Sequence, residues 1–184
     1  MSKPFKFVPK LRWKLSILWM LGTGFTLMCV PLTSGYAFIA LPFVQWLLLK
    51  SYVGEPGLWI LATLFGGIAG FASLIFALFF LPSRYLAAAV AGAVLGFAQS
   101  LVLRRLCYKA NWWILSSSLA LTIGAGWVID IDFPTYFKFG GSKPSQQVLI
   151  IMYLVSGLIG GAIKGGTLGW LIENHKKAPR KPTL

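Results

Sequence analysis

One lysine within a long apolar run is the residue whose type and position most suggest chemistry. Lys164 lies among glycines and aliphatic residues. A charged side chain at the centre of a bilayer costs roughly 2.5–3.5 kcal/mol on insertion scales, so such residues are candidates for a function. Three roles are open. The side chain snorkels to the headgroups, lines a cavity or ion path, or pairs with a partner or a lipid phosphate.

Two glutamines are placed alike in other apolar runs. Gln45 and Gln99 each lie five residues before a basic residue, Lys50 and Arg104 respectively. An amide within an apolar helix hydrogen-bonds a neighbouring helix or binds a polar solute. We expect the first use, and we keep the two glutamines with Lys164 as candidate contacts for a solute or a lipid.

A pair of carboxylates follows the fifth apolar run. Asp130 and Asp132 form an Asp-x-Asp pair in a predicted outer loop that also contains Lys138 and Lys143. Hard cations take several oxygen ligands, and two carboxylates alone make a weak site. We therefore expect solvation or pairing with the loop lysines.

The residues needed for catalysis or metal binding are few and scattered. His175 is the only histidine, and the two cysteines, Cys29 and Cys107, are predicted at opposite membrane faces. They have neither disulfide proximity nor metal-ligand spacing. We predict a non-enzymatic protein with no catalytic residue, no metal and no cofactor; the lone tail histidine also disfavours pigment binding.

The composition explains this scarcity. The chain is 57% hydrophobic and 11% charged, whereas soluble domains are about a quarter charged. This excludes a soluble globule, and the high hydrophobicity excludes disorder. The net charge of +13 comes from basic residues placed between apolar runs, which indicates a lipid bilayer as partner and not nucleic acid.

The charge-free runs predict an all-α integral membrane protein with six transmembrane helices. About 20 helical residues cross a bilayer, and the 35-residue run 15–49 contains a turn at 31–35, so it holds two helices. The predicted helices are 12–31, 35–50, 57–81, 85–103, 111–129 and 147–172. They form one domain, 12–172, between a basic N-terminus, 1–11, and a basic tail, 173–184.

The basic residues orient the chain. Six spans place both termini and the helix 2–3 and helix 4–5 turns on one side, which then carries thirteen basic residues against three on the other. By the positive-inside rule this side is cytoplasmic. The membrane is expected to be a bacterial inner or thylakoid membrane. A five-span alternative would put the basic tail outside, and we reject it.

An internal repeat organises the six helices. Trp13, Trp59 and Trp113 open helices 1, 3 and 5, and a glycine follows each after eleven residues, at Gly24, Gly70 and Gly124. We predict three tandem copies of a two-helix hairpin, all facing the same way. The three tryptophans are predicted to anchor the helices at the membrane interface.

One stretch carries a resemblance. Gly92-x-x-x-Gly96-x-x-Gln99-x-Leu-Val-Leu-Arg-Arg105, followed by Trp112-Trp113, resembles repeated stretches in uncharacterised bacterial, largely cyanobacterial, multi-span membrane proteins. The resemblance implies a multi-span repeat protein and no particular activity. The third copy departs from the pattern, with Leu168 in place of the glutamine and Glu173 in place of the basic residue.

Rows of glycine mark helices that approach closely. In helix 6, glycines recur every four residues, and helix 4 repeats the pattern at Gly92 and Gly96. Small residues let helix backbones pack in lipid. The row serves packing within the chain or docking of another subunit; in helix 6 it consists of Gly157, Gly161, Gly165 and Gly169.

These features favour an accessory or scaffold subunit of a larger membrane complex. The glycine row and the lack of intramembrane acid–base groups support it. So does the predicted outer loop, which is rich in aromatic residues, namely Phe133, Tyr136, Phe137 and Phe139. The alternative is a small-solute transporter or the substrate-binding membrane subunit of an importer, with Lys164, Gln45 and Gln99 as solute contacts.

Overall fold

The computed structural model describes residues 11–33, 36–50, 56–105, 107–136 and 144–175, except the side chains of 11, 12, 56, 130–136 and 175. Within these residues the structure is all-helical, as predicted. The six helices are α1 (Leu11–Met28), α2 (Ala37–Leu49), α3 (Pro56–Phe80), α4 (Arg84–Leu103), α5 (Trp112–Tyr136) and α6 (Gln146–His175). Most ends agree with the predicted ones within three residues.

The fifth helix is longer than predicted. It continues seven residues past the predicted end at 129 and finishes at Tyr136. Asp130 and Asp132 therefore lie in its last turns and not in a loop. The prediction was wrong because a change from apolar to charged residues does not end a helix; aspartate costs a helix only tenths of a kcal/mol. Residues 137–143 of the predicted loop lie outside the described residues, as do both terminal segments, 1–10 and 176–184.

Within the described residues, four helices are long and apolar enough to cross a membrane. They are Gly57–Phe80, Arg84–Leu103, Trp112–Ile129 and Gln146–Asn174. α2, with 13 residues, is shorter than the roughly 20 residues of a full span, and α1 is not among the four. The chain thus has several helices consistent with a membrane protein.

The helices form a closed ring. Each helix packs on its neighbours in the chain, and α6 returns to pack on α1. Among the described residues, no two helices that face each other across the ring have backbones in close contact. The α4–α5 and α6–α1 contacts are extensive, whereas α2 is lightly packed on both sides.

The glycine row of α6 faces α1 within the chain. A Cβ placed on Gly161 would lie 2.8 Å from the Cα of Met20, and one on Gly165 would lie 2.7 Å from the carbonyl oxygen of Ser16. The Ser16 hydroxyl also donates a 2.8 Å hydrogen bond to the Gly165 carbonyl. Such close approach supplies the packing that the hydrophobic effect cannot supply in lipid.

The glycines of α4 play the same part against α5. A Cβ on Gly92 would lie 2.5 Å from the carbonyl oxygen of Ser117, and one on Gly96 would lie 2.6 Å from the Ser117 Cβ. The two backbones therefore touch along the ring wall, which brings the side chains of α4 and α5 together at its centre.

The outside of the ring is apolar and its interior holds polar groups. Bulky side chains such as Phe65 and Phe79 are exposed, while Gln99, Ser100 and Lys164 are buried. This is the reverse of a soluble protein and is typical of a bundle surrounded by lipid.

Candidate functional site

Three tryptophans meet inside the ring. Trp19 of α1, Trp59 of α3 and Trp113 of α5 have no exposed surface, and their ring centroids lie 5.8–6.0 Å apart in edge-to-face contacts. Each such pair contributes about 0.5–1.5 kcal/mol beyond area burial. We call these residues the tryptophan triad.

The triad differs from the predicted tryptophan set. Trp59 and Trp113 are core residues and not interfacial anchors, so that prediction was wrong for both. Their partner from α1 is Trp19, whereas Trp13 is exposed. The predicted repeat register, which aligned Trp13 with the other two, does not describe this contact.

Gln99 joins helices around the triad. Its Nε2 donates a 2.9 Å hydrogen bond to Thr63 Oγ1 on α3. Its Oε1 accepts two bonds of 2.9 Å, from Trp113 Nε1 on α5 and from Lys164 Nζ on α6. The amide, which is completely buried, thus connects all three helices to α4.

Lys164 is buried beside this amide. Only 7% of its surface is exposed, and Nζ also lies 5.0 Å from the centroid of the Trp113 ring, in a cation–π contact. The side chain therefore does not snorkel to the helix end, because it is held by Gln99 in the interior. Among the described residues, Gln99 is the one hydrogen-bond acceptor of Nζ and no carboxylate pairs with it.

The surroundings of Lys164 leave its charge poorly compensated. An ammonium has three N–H donors, and one of them is bonded to Gln99. A buried charge costs several kcal/mol unless it is paired and hydrogen-bonded. A neutral amide and one aromatic face offset part of this cost, and an anion in contact with Nζ would offset more of it.

The second glutamine lies in a similar place but is not bonded in the same way. Gln45 is 3% exposed, and its Oε1 has no hydrogen-bond partner; the buried Nε1 of Trp59 has none either. Fourteen residues separate Gln45 from Trp59, as they separate Gln99 from Trp113. The pair that is bonded between α4 and α5 is therefore unbonded between α2 and α3.

The other candidate residues lie away from this centre. Asp130 and Asp132 are near the end of α5, and their side chains, like that of His175, lie outside the described ones. Cys29 and Cys107 are free thiols. The described residues include no group of three or more histidine, cysteine or acidic residues that could hold a metal.

Cys107 follows α4 and is buried in the core near the triad. Burial raises the pKa of its thiol to about 11. The thiolate is the reactive form of cysteine, so this residue is a structural, unreactive thiol at neutral pH.

Two residues of the centre were missed by the sequence analysis. Thr63 lies four residues after Trp59, which places both on one face of α3, and this spacing could have found it. Trp19 carries no such signal, because nothing in its spacing distinguishes it from Trp13.

The fold and the site together define a helical bundle whose long apolar helices are consistent with a membrane and whose polar groups collect inside a helix ring. The chain matches no protein-family model, no curated protein and no solved structure.

Proposed function

We propose that this chain is an integral membrane protein that binds a small anionic solute inside its helix ring, with Lys164 as the principal contact. It acts as a transporter or as the substrate-binding membrane subunit of an importer. The observation that carries the proposal is the Lys164 amino group, buried among the helices with the Gln99 amide as its single hydrogen-bond acceptor in the described part of the chain.

The chemistry of the site selects the charge of the solute. Two N–H donors of Lys164 remain for a ligand, and charge-assisted hydrogen bonds to an oxyanion are about twice as strong as neutral ones. The fixed contacts with Gln99 and Trp113 hold Nζ in place before a solute arrives. A small carboxylate or phosphate fits these donors.

The proposed membrane topology of the chain is the one that its sequence predicts. Six helices cross or enter the membrane, the two termini are cytoplasmic, and the hairpins are tandem copies. Gln99 lies four residues before the end of α4 and Trp113 is the second residue of α5, so this orientation places the site toward the cytoplasmic end of the ring.

A second candidate is the accessory or scaffold subunit. In the structure the α6 glycine row packs on α1, so a partner would use another surface. The outer face of α3 offers one, because it carries a dense set of exposed bulky side chains. These side chains are Phe65, Ile68, Phe71, Phe76, Phe79 and Phe80.

The anion proposal is tested by the unfolding midpoint of the purified protein, followed by tryptophan fluorescence. Sodium chloride is replaced stepwise by sodium acetate or phosphate at constant ionic strength. We expect a saturable rise in the midpoint that Lys164→Met abolishes and Lys164→Arg retains in part, because ligand binding stabilises the folded state.

Lys14→Met is the matched control, since Lys14 is an exposed lysine of α1. It should respond to acetate and phosphate as the wild type does. A wild type that responds to neither anion, or a Lys164→Met variant that responds as the wild type does, would contradict the proposal.

A further inference from the structure

We propose that the turn between α4 and α5 and the adjoining end of α6 form a site for an anionic phospholipid. Lys109 is the principal contact for the lipid phosphate, and Arg104 is a second cation. The residues of this site are exposed on the outside of the ring, whereas Lys164 is buried inside it. The inference requires that the chain lies in a membrane, but it does not depend on anion binding at Lys164.

The first observation is an exposed lysine that is held against an aromatic side chain. Lys109 lies in the α4–α5 turn, and its Nζ is 5.4 Å from the centroid of the Trp170 ring on α6, in a cation–π contact. Trp170 in turn contacts Trp112, the first residue of α5, edge to face with the ring centroids 5.9 Å apart. The ammonium is therefore positioned where α5 and α6 meet, by a partner that does not neutralise its charge.

A second cation is fixed on the same turn. Nε and Nη2 of Arg104 donate hydrogen bonds of 3.1 and 2.9 Å to Oδ1 of Asn111, which directly precedes Trp112. The acceptor is a neutral amide, so these bonds hold the guanidinium at the start of α5 and leave its positive charge in place. An arginine and a lysine placed in this way are typical ligands of a phosphate group.

The charge at this end of the ring favours an anionic partner. Lys109 and Arg104 are accompanied by the exposed residues Lys50 and Arg105, while Glu173, near the end of α6, is the one acidic side chain that the structure describes. A single carboxylate cannot balance four basic residues. Basic clusters between helices on the cytoplasmic side bind anionic lipid headgroups, and the proposed topology places this end of the ring on that side.

The surface next to the two indoles suits an acyl chain. Trp112 and Trp170 are both exposed, as is typical of tryptophans at the level of the headgroups. One helical turn further into the bundle lie Leu115 and Gly166, which are exposed as well, and a Cβ on Gly166 would meet no described atom within 4 Å. A ligand with a charged head and an apolar chain matches this surface better than a free phosphate ion does.

The test compares phosphatidylglycerol with a phosphatidylcholine that has the same acyl chains. Native mass spectrometry of the full chain in detergent, titrated with either lipid, gives the dissociation constant of the first bound lipid. We expect the wild type to bind phosphatidylglycerol about tenfold more tightly, because phosphatidylcholine carries no net charge. Lys109→Gln should reduce this preference to about twofold, and Arg104→Gln should reduce it less.

Lys50→Gln is the matched control, because it also removes one exposed positive charge, at the end of α2. It should keep the preference. Trp170→Leu changes no charge but removes the ring that holds Lys109, so it should also reduce the preference. Lys164→Met should bind phosphatidylglycerol as the wild type does, which separates this site from the solute site.

Four results would overturn the lipid site. Equal affinities for the two lipids in the wild type would show that no anionic headgroup is recognised. Equal effects of Lys50→Gln and Lys109→Gln would show that only the net charge of the chain attracts the lipid. Displacement of phosphatidylglycerol by millimolar inorganic phosphate would show that the site takes a free oxyanion, and loss of the lipid in Lys164→Met would place the lipid inside the ring.

Discussion

Two contacts between adjacent helices of the ring each contain a glutamine and a tryptophan, but in different surroundings. We call such a contact a seam. At the α4–α5 seam, Gln99 and Trp113 are hydrogen-bonded, and Lys164 and Thr63 add further bonds to the amide. At the α2–α3 seam, the atoms that would make the equivalent bond, on Gln45 and Trp59, are buried without partners.

The difference follows from how closely the backbones approach. Gly92 and Gly96 let α4 touch the backbone of α5, which brings Gln99 within bonding distance of Trp113. α2 contains no glycine and has Pro42 in its interior, and it packs lightly on α3. Small residues close to the glutamine, Gly92 and Gly96 in α4, therefore account for the difference between the bonded and the unbonded pair.

The largest contrast is expected between the two glutamine variants. Gln99→Leu removes the hydrogen-bond partner of Lys164, Trp113 and Thr63, and a buried donor left unsatisfied costs about 1–3 kcal/mol, with more for a charged group. Gln45→Leu removes an acceptor that has no partner, so the free energy of unfolding should change by about 1 kcal/mol or less. Denaturant titration in mixed micelles measures both.

Equal losses in the two variants would show that the seams do not differ as described. A double variant sharpens the test: Lys164→Met should restore part of the stability that Gln99→Leu removes, because no unpaired charge remains.

A smaller effect is expected when a methyl group is added to a glycine. Gly92→Ala places its Cβ against the carbonyl of Ser117, and the backbones must separate, so we expect a loss of about 1–3 kcal/mol. Gly67→Ala is the control, because its Cβ meets nothing within 4 Å and alanine favours helix by up to about 1 kcal/mol. Thermal unfolding compares them; a neutral Gly92→Ala would contradict the close seam.

The two indole variants differ less. Trp113→Phe breaks the hydrogen bond to Gln99, whereas Trp59→Phe removes a donor that has no acceptor. The rings otherwise keep similar packing, so Trp113→Phe should be less stable by about 1 kcal/mol. Denaturant titration of both proteins gives the difference. The reverse order of stability would mean that the Trp59 N–H is bonded in solution.

The smallest effect concerns Cys107, which lies at the bonded seam. Because its pKa is raised to about 11, the thiolate fraction should increase about tenfold per pH unit from pH 7 to 10. In a Cys29→Ser variant, the rate of maleimide labelling should rise accordingly. A rate that levels off near pH 9, as for an ordinary thiol, would show that the core at this seam is open.

The sequence predicted the helices better than their contacts. Runs without charge located all six helices, because length and hydropathy are local properties. Lys164, Gln99 and Gln45 were recognised as candidates because polar side chains are costly in an apolar run. The carboxyl pair Asp130 and Asp132 was predicted to lie in a loop, because the helix was assumed to end where the apolar run ends.

The side-chain contacts around Lys164 could not be predicted from the sequence, because they depend on how the six helices pack into a ring. Trp19 reaches the other two tryptophans because of how α1 packs on α6, and the spacing of residues along the chain does not predict this packing. The difference in hydrogen bonding between Gln45 and Gln99 could not be predicted either, because the two glutamines occur in similar stretches of sequence. It arises from the distance between each glutamine's own helix and the next helix along the chain, and this distance depends on how the helices pack.

Whether Lys164 holds a small anion inside the ring can be decided by native mass spectrometry after gentle extraction. We predict that the protein carries a small bound mass, whether it is extracted alone, as a homo-oligomer or with the other subunits of an importer. We predict that Lys164→Met loses this mass while Lys14→Met keeps it. A stoichiometric second polypeptide with no small bound mass would contradict the claim and establish the accessory-subunit alternative.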